Sequence, residues 1–313
     1  MKTENSILPM PDVSLARRSL LLGALCSVAG LAWAAGTPAR GPMTESEALS
    51  ALAAIEGRSG GRMGLHAIDT ASGRALSHRG TERFAMASTF KLLLAAAVLH
   101  RQDLAPGVLD QRLPVRQADL ITHSPITAKH LPAGFITARA ACEATVQVSD
   151  NTAANLLLPL VGGPAGLTAF VRERCGDAVT RLDRTEPELN TNLPGDPRDT
   201  STPQAMAVTT QRLLTGQVLS GPSREQLRAW LEGASTGMAR LRAGLPKDWR
   251  TGDKTGTGAN GAANDVAITW PPGRAPIVLA VYLDGSTQKP AVLDGTHAQA
   301  AAVVAAFLAG ARR

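Results

Sequence analysis

Ile277-Val-Leu-Ala-Val-Tyr-Leu283 is the stretch on which the fold turns. An unbroken apolar run, rich in β-branched residues and closed by Asp284-Gly285, reads as a strand. Working backwards, Val266–Trp270 and Trp249–Thr257 read as two more strands, punctuated by Asp265 and Pro271-Pro272-Gly273. At the other end of the chain, Arg62–Asp69 reads as a strand, Thr70-Ala71-Ser72-Gly73 as a turn and Arg74–His78 as the return, which makes a hairpin. The chain between these ends is helical in pattern. One apolar helix runs from Phe90 to about His100, and several more follow from about Thr137 to Glu232. Met43–Ile55, with Thr44 as N-cap, and His297–Leu308 add a helix at each end. The order is helix, strands, many helices, strands, helix. It predicts an α+β fold, an α/β sandwich whose antiparallel sheet is built from both chain ends and flanked by helices, with an all-helical insertion. The α/β lobe is expected over about 40–86 and 234–313, and the helical lobe over about 87–233.

Composition narrows the function. At 313 residues and 44% hydrophobic, the chain is long enough for a large core. Aromatics are scarce, at 3%, which argues against a stacking surface for nucleic acid. The formal charge of +6 is spread along the chain and reads as a solvated surface.

The N-terminus carries an address. Arg17-Arg18 precede an apolar run from Leu20 to about Trp33, and Ala32-Trp33-Ala34 offers a cleavage site. The run is short for a membrane span, so 1–34 is expected to be a removed signal peptide and 35–313 a single catalytic domain with no stable anchor. Ala16-Arg17-Arg18-Ser19-Leu20-Leu21 resembles a twin-arginine signal, which implies export of a folded protein to the periplasm. Cys142 and Cys175 would remain, and the reading favours two free, buried thiols.

Three short motifs carry the chemistry. Ser88-Thr89-Phe90-Lys91 sets a lysine one helical turn from a serine hydroxyl at a helix N-terminus, where developing negative charge is favoured. Alone the motif is weak: Ser286-Thr287-Gln288-Lys289 repeats it beside Asp284-Gly285 and Pro290. Ser149-Asp150-Asn151, at a junction between helices, adds a hydroxyl able to relay a proton and an amide able to bind a carbonyl. Lys254-Thr255-Gly256, on a C-terminal strand, adds a cation for a carboxylate and a glycine that lets a ligand approach the backbone.

In that order these motifs resemble the penicillin-recognising serine enzymes, and Arg181-Leu-Asp-Arg-Thr-Glu-Pro-Glu-Leu-Asn190 resembles the omega loop of the class A β-lactamases. The resemblance extends over the mature chain, through Ser124-Pro125, Leu193–Thr200 and Asn264-Asp265. It implies hydrolysis of penicillins and cephalosporins through an acyl-enzyme, and hence antibiotic resistance, by a monomer that takes small β-lactam substrates. Ser88 would be the nucleophile, with its N–H and that of Thr257 as the oxyanion hole. Lys91, or Glu186 through water, would take the proton; Ser149 would protonate the lactam nitrogen. Lys254, Thr255 and Thr257 would hold the substrate carboxylate, and Asn151 the side-chain amide. Glu186 and Asn190 would hold the deacylating water, and Arg184 and Asp199 would tie the loop ends.

Departures from the family pattern also matter. No arginine lies in Gly258–Asp265, so Arg240 is expected to support the carboxylate. His123 stands where relatives carry an aromatic wall residue. Ala87 and Gly258 replace the bridging cysteines of many carbapenemases, which points away from strong carbapenem hydrolysis. The six histidines lack a His-x-His-x-Asp spacing, so neither zinc nor any other cofactor is expected. Two rivals share Ser88 and Lys91: a D,D-peptidase, which would lack a base such as Glu186, and a non-catalytic β-lactam sensor.

Overall fold

The computed structural model describes residues 43–309, so the calls on the signal peptide and its cleavage lie outside the described residues. Thr44 starts the first helix, α1 (Glu45–Ser59): its hydroxyl accepts the Glu47 N–H while Glu47 reaches back to the Thr44 N–H, and Gly60 ends it at φ 72°. β1 (Arg62–Asp69) and β2 (Ala75–His78) form the expected hairpin. β3 (Phe84–Ala85) leads into a 3₁₀ turn, Ala87–Thr89, and then α2 (Phe90–Leu104). The ribbon β4 (Arg112–Pro114) and β5 (Phe135–Thr137) precedes α3 (Ala138–Gln147), α4 (Asn151–Leu157) and α5 (Gly163–Cys175). After a long loop come β6 (Thr200–Ser201), α6 (Pro203–Thr215), α7 (Gly221–Glu232) and α8 (Leu241–Gly244). Three long strands, β7 (Arg250–Thr257), β8 (Ala263–Trp270) and β9 (Ile277–Asp284), lead to the last helix, α9 (Pro290–Ala309).

The five-stranded sheet is antiparallel, in the order β2-β1-β9-β8-β7, so the two chain ends meet at the β1–β9 ladder. β9 is apolar without interruption because both of its faces are covered. Val278, Ala280 and Tyr282 pack with Phe90 and the fully buried Leu92–Leu99 stretch of α2. Ile277, Leu279, Val281 and Leu283 pack with Leu52 of α1 and Phe307 of α9. Period-two alternation thus splits one strand between two cores.

Several expected boundaries move, among them the ends of α1, at Ser59, and of α2, at Leu104. β8 begins at Ala263, so Asp265 is inside the strand instead of ending it; its Oδ2 accepts the Leu241 N–H at 3.1 Å. α9 begins at Pro290, seven residues before His297, because proline needs no N–H partner in a first turn. The short β3–β6 and β4–β5 ladders carry too few residues to show a period. Cys142 and Cys175 are free and buried.

Candidate active site

The strongest constraint on Ser88 is the turn before it. Asn264 Nδ2 donates to the Ala85 and Met86 carbonyls at 2.9 and 3.0 Å, and Thr89 Oγ1 donates to Met86 O at 2.8 Å. Ala87 sits at φ 43°, a left-handed conformation that such a network must hold in place. β7 presses on the turn: a Cβ at Gly256 would meet Met86 O at 2.7 Å and Ser88 N at 3.1 Å. The glycine therefore makes room for the nucleophile's own backbone, whereas the sequence suggested room for a ligand.

Lys91 lies one turn along α2, fully buried, and Nζ donates to Ser88 Oγ at 3.0 Å, Ser149 O at 2.8 Å and Asn151 Oδ1 at 2.5 Å. Glu186 Oε1 is 3.0 Å from Nζ and accepts the Ser88 hydroxyl at 3.3 Å. Burial lowers the pKa of Lys91 and the Glu186 carboxylate opposes it, so the lysine is pushed toward a neutral, proton-accepting form. Both groups reach the Ser88 proton.

The long loop between α5 and β6 brings Glu186 in. Arg184 Nε meets Asp199 Oδ2 at 2.5 Å, and Asp199 Oδ1 accepts the Asp183 and Arg184 N–H groups at 2.7 and 2.9 Å. Asn155 of α4 grips the Glu186 backbone on both sides, at 2.8 and 3.0 Å. Asn190 Nδ2 donates to Glu186 Oε2 at 2.5 Å, and Asn190 Oδ1 is buried without a partner among the described residues. A buried, unpartnered amide oxygen beside a carboxylate suits a water held by both.

A cavity of about 310 Å³ opens over these groups, lined by Ser88, His123, Ser149, Asn151, Asn190, Thr236, Arg240, Thr255, Gly256 and Thr257. A cleft of about 740 Å³ beside Leu193–Pro197 is larger but contains neither Ser88 nor Glu186. Thr257 stands on β7, an edge strand, which leaves alternate N–H groups outside the ladder. Arg240 donates to Thr257 Oγ1 at 2.9 Å and to the Gly256 and Asn264 carbonyls, with Asp294 against its Nε at 2.8 Å. His123 sits at the rim at φ 64°, its Nε2 donating to Val148 O at 2.8 Å.

Lys254 is placed differently from the expectation of a direct carboxylate contact. It is fully buried behind the cavity wall, donating to Ser149 Oγ at 3.0 Å and Thr255 O at 2.8 Å. Burial first, and Lys91 second, lower its pKa to about 7. Its influence on the cavity is a field and a hydrogen bond through Ser149. The repeated motif plays no part here: Ser286 Oγ donates to Ser59 O at 2.6 Å in a turn. Thr236, which shares a 2.7 Å hydrogen bond with Thr255, and Asn155 are site residues the motifs did not reveal. Their only signals are proximity to Arg240 in one loop and one turn's spacing from Asn151 on α4.

Known proteins share this architecture. The sequence model of the β-lactamase enzyme family matches residues 47–307. The chain is 48% identical to β-lactamase AST-1 of Nocardia asteroides, covering 92% of this chain and 94% of the relative. It is 51% identical to β-lactamase L2 of Stenotrophomonas maltophilia, covering 86% and 91%. Among solved structures, the last common ancestor of Gram-negative class A β-lactamases superposes with a TM-score of 0.81 at 56% identity, covering 83% of this chain and 99% of that one. A β-lactamase from Desulfarculus baarsii gives 0.82 at 52%, covering 85% and 98%.

Proposed function

The chain belongs to the class A β-lactamases, and from that premise we propose how its residues open the β-lactam amide of penicillins and cephalosporins. Ser88 Oγ attacks the carbonyl, and Lys91 or Glu186 takes its proton. The N–H groups of Ser88 and Thr257 receive the developing oxyanion. Ser149, fed by Lys91 and Lys254, passes a proton to the leaving nitrogen. Arg240, Thr236, Thr255 and Thr257 hold the substrate carboxylate. The second amide hydrogen of Asn151, whose other binds Thr122 O, meets the side-chain carbonyl. Glu186 and Asn190 then deliver water to the ester, and the 181–199 segment serves as the omega loop that positions them.

One observation carries this reading over a peptidase: the Glu186 carboxylate is within 3.3 Å of the Ser88 hydroxyl. Glu186→Ala is expected to accumulate a penicilloyl adduct on Ser88, seen as added mass on the intact protein, while the wild type turns penicillin over. A wild type that traps penicillin stoichiometrically would instead be a peptidase or a sensor. We also propose that the enzyme is exported by residues 1–34 to the periplasm and works there as a monomer; cell fractionation and size-exclusion chromatography test both.

A further inference from the structure

Behind the cavity wall, residues 236–242 lie over one face of β7, and polar contacts hold them there. Thr236 bonds Thr255, Arg240 bonds Thr257, Leu241 N–H bonds Asp265 Oδ2 at 3.1 Å and Arg242 Nε bonds Asp253 Oδ1. A Cβ at Gly237 would fall on the Asp253 carboxylate. The β7–β8 register pairs Asp253 with Ala267 and Thr255 with Asp265, so the two aspartates are diagonal neighbours on one face of the sheet. Both are 0% exposed. Each has one carboxyl oxygen satisfied and one, Asp253 Oδ2 and Asp265 Oδ1, that no donor among the described residues reaches. The carboxyls lie within hydrogen-bonding reach of each other.

Two ionised carboxylates side by side and out of water repel each other. A proton on one turns two facing acceptors into an O–H···O bond that satisfies both free oxygens. The surrounding charges cannot neutralise both. Arg242 of α8 pairs with Asp253, while Arg240 is already paired with Asp294 of α9. His297 of α9 is buried, and burial together with Arg240 lowers its pKa to about 4, so it is neutral. Lys254, on the other face of β7, points to Ser149. Burial raises the pKa of both aspartates, and that of Asp265 further because Asp253 repels its charge.

We propose that Asp253 and Asp265 share one proton, carried mainly by Asp265, and that the protonated pair clasps Thr236–Arg242 so that Thr236 and Arg240 face the cavity. These are positioning residues. The clasp's effect on substrate rests on reading Arg240 as a carboxylate holder, whereas the proton itself does not.

Three readings on the full enzyme test the clasp. The infrared spectrum at neutral pH should show a protonated-carboxyl C=O band that shifts on deuteration and disappears in Asp265→Asn; absence of the band overturns the shared proton. A carboxyl protonated in the fold and ionised when unfolded makes the native state lose stability as pH rises above the aspartate's unfolded value, about 3.9. The Tm of Asp265→Asn minus that of the wild type should therefore grow with pH, and a constant difference also overturns the proposal. Asp265→Asn, a permanent donor, should keep the penicillin KM within about twofold of the wild type, and Asp265→Leu should raise it about tenfold with kcat little changed. Equal KM values in all three overturn the clasp, and if Asp265→Leu fails to fold, the band and the Tm series still decide. If Arg240→Ala leaves KM unchanged while the band behaves as expected, it is the reading of Arg240 that fails.

Discussion

Lys254 shows how far a residue's role depends on its depth. A surface lysine keeps its charge well above neutrality, whereas this one, fully buried beside Lys91, falls to about 7. The direction fixes the pH dependence. Above that value the site loses a positive charge and the support it lends to an incoming carboxylate. Because kcat/KM reports ionisations of the free enzyme, that for a penicillin should fall as pH climbs from about 7 towards 9. Lys254→Arg, with a guanidinium that stays ionised, should flatten that limb. A wild-type profile already flat over the range would remove Lys254 from substrate binding. Ser88 and Lys91 were legible because two further motifs followed in order, whereas Ser286 opens the same pattern and its hydroxyl binds a turn. Thr236 and Asn155 were not legible, since their roles arise from contacts across 19 and 31 residues.

At the level of elements, the loop that carries Glu186 is held by an interaction the sequence disclosed only through family likeness. Arg184 is 19% exposed and Asp199 fully buried, so removing the arginine leaves a buried carboxylate without its cation. Breaking such a pair costs about 3–5 kcal/mol. The loop can recover part of that only by shifting, and a shift of about 1 Å at a catalytic group costs about 10²-fold in rate. In the proposed mechanism acylation turns on Ser88, in the 3₁₀ turn ahead of α2, and deacylation on Glu186 in the loop. Arg184→Ala should therefore keep the pre-steady-state burst with nitrocefin and lose about 100-fold in the steady state. Equal losses in both phases would mean that the loop acts on acylation as well. Strands were read closely at both chain ends: Arg62–Asp69 matched to the residue, and the continuous apolar run Ile277–Leu283 stopped one residue short of the strand's end. β8 was read short because Asn264 and Asp265 look like a break until the Ala85, Met86 and Leu241 backbones that bond Asn264 Nδ2 and Asp265 Oδ2 are in view.

The whole molecule bears on export. Its sheet closes by pairing β1, residues 62–69, with β9, residues 277–284, so neither core is complete until nearly all of the chain has been made. Such long-range pairing is slow compared with local helix formation. A chain threaded unfolded through a pore would have to assemble the sheet outside the cytoplasm. Nothing in the described fold requires that compartment's oxidising chemistry, because Cys142 and Cys175 are free, and burial raises the Cys175 thiol to about 12. A twin-arginine exporter takes cargo that is already folded, so that route would let the sheet close inside the cell. The pair Arg17-Arg18, two residues ahead of the apolar run that begins at Leu20, is the address we propose for it. Replacing both with lysine keeps the charge and removes the motif. The expected outcome is active, folded enzyme held in the cytoplasmic fraction, with nitrocefin turnover per molecule unchanged and resistance of the living cells lost. Undiminished activity in the periplasm would instead assign the signal to the general secretory route, with the sheet closing only after transport.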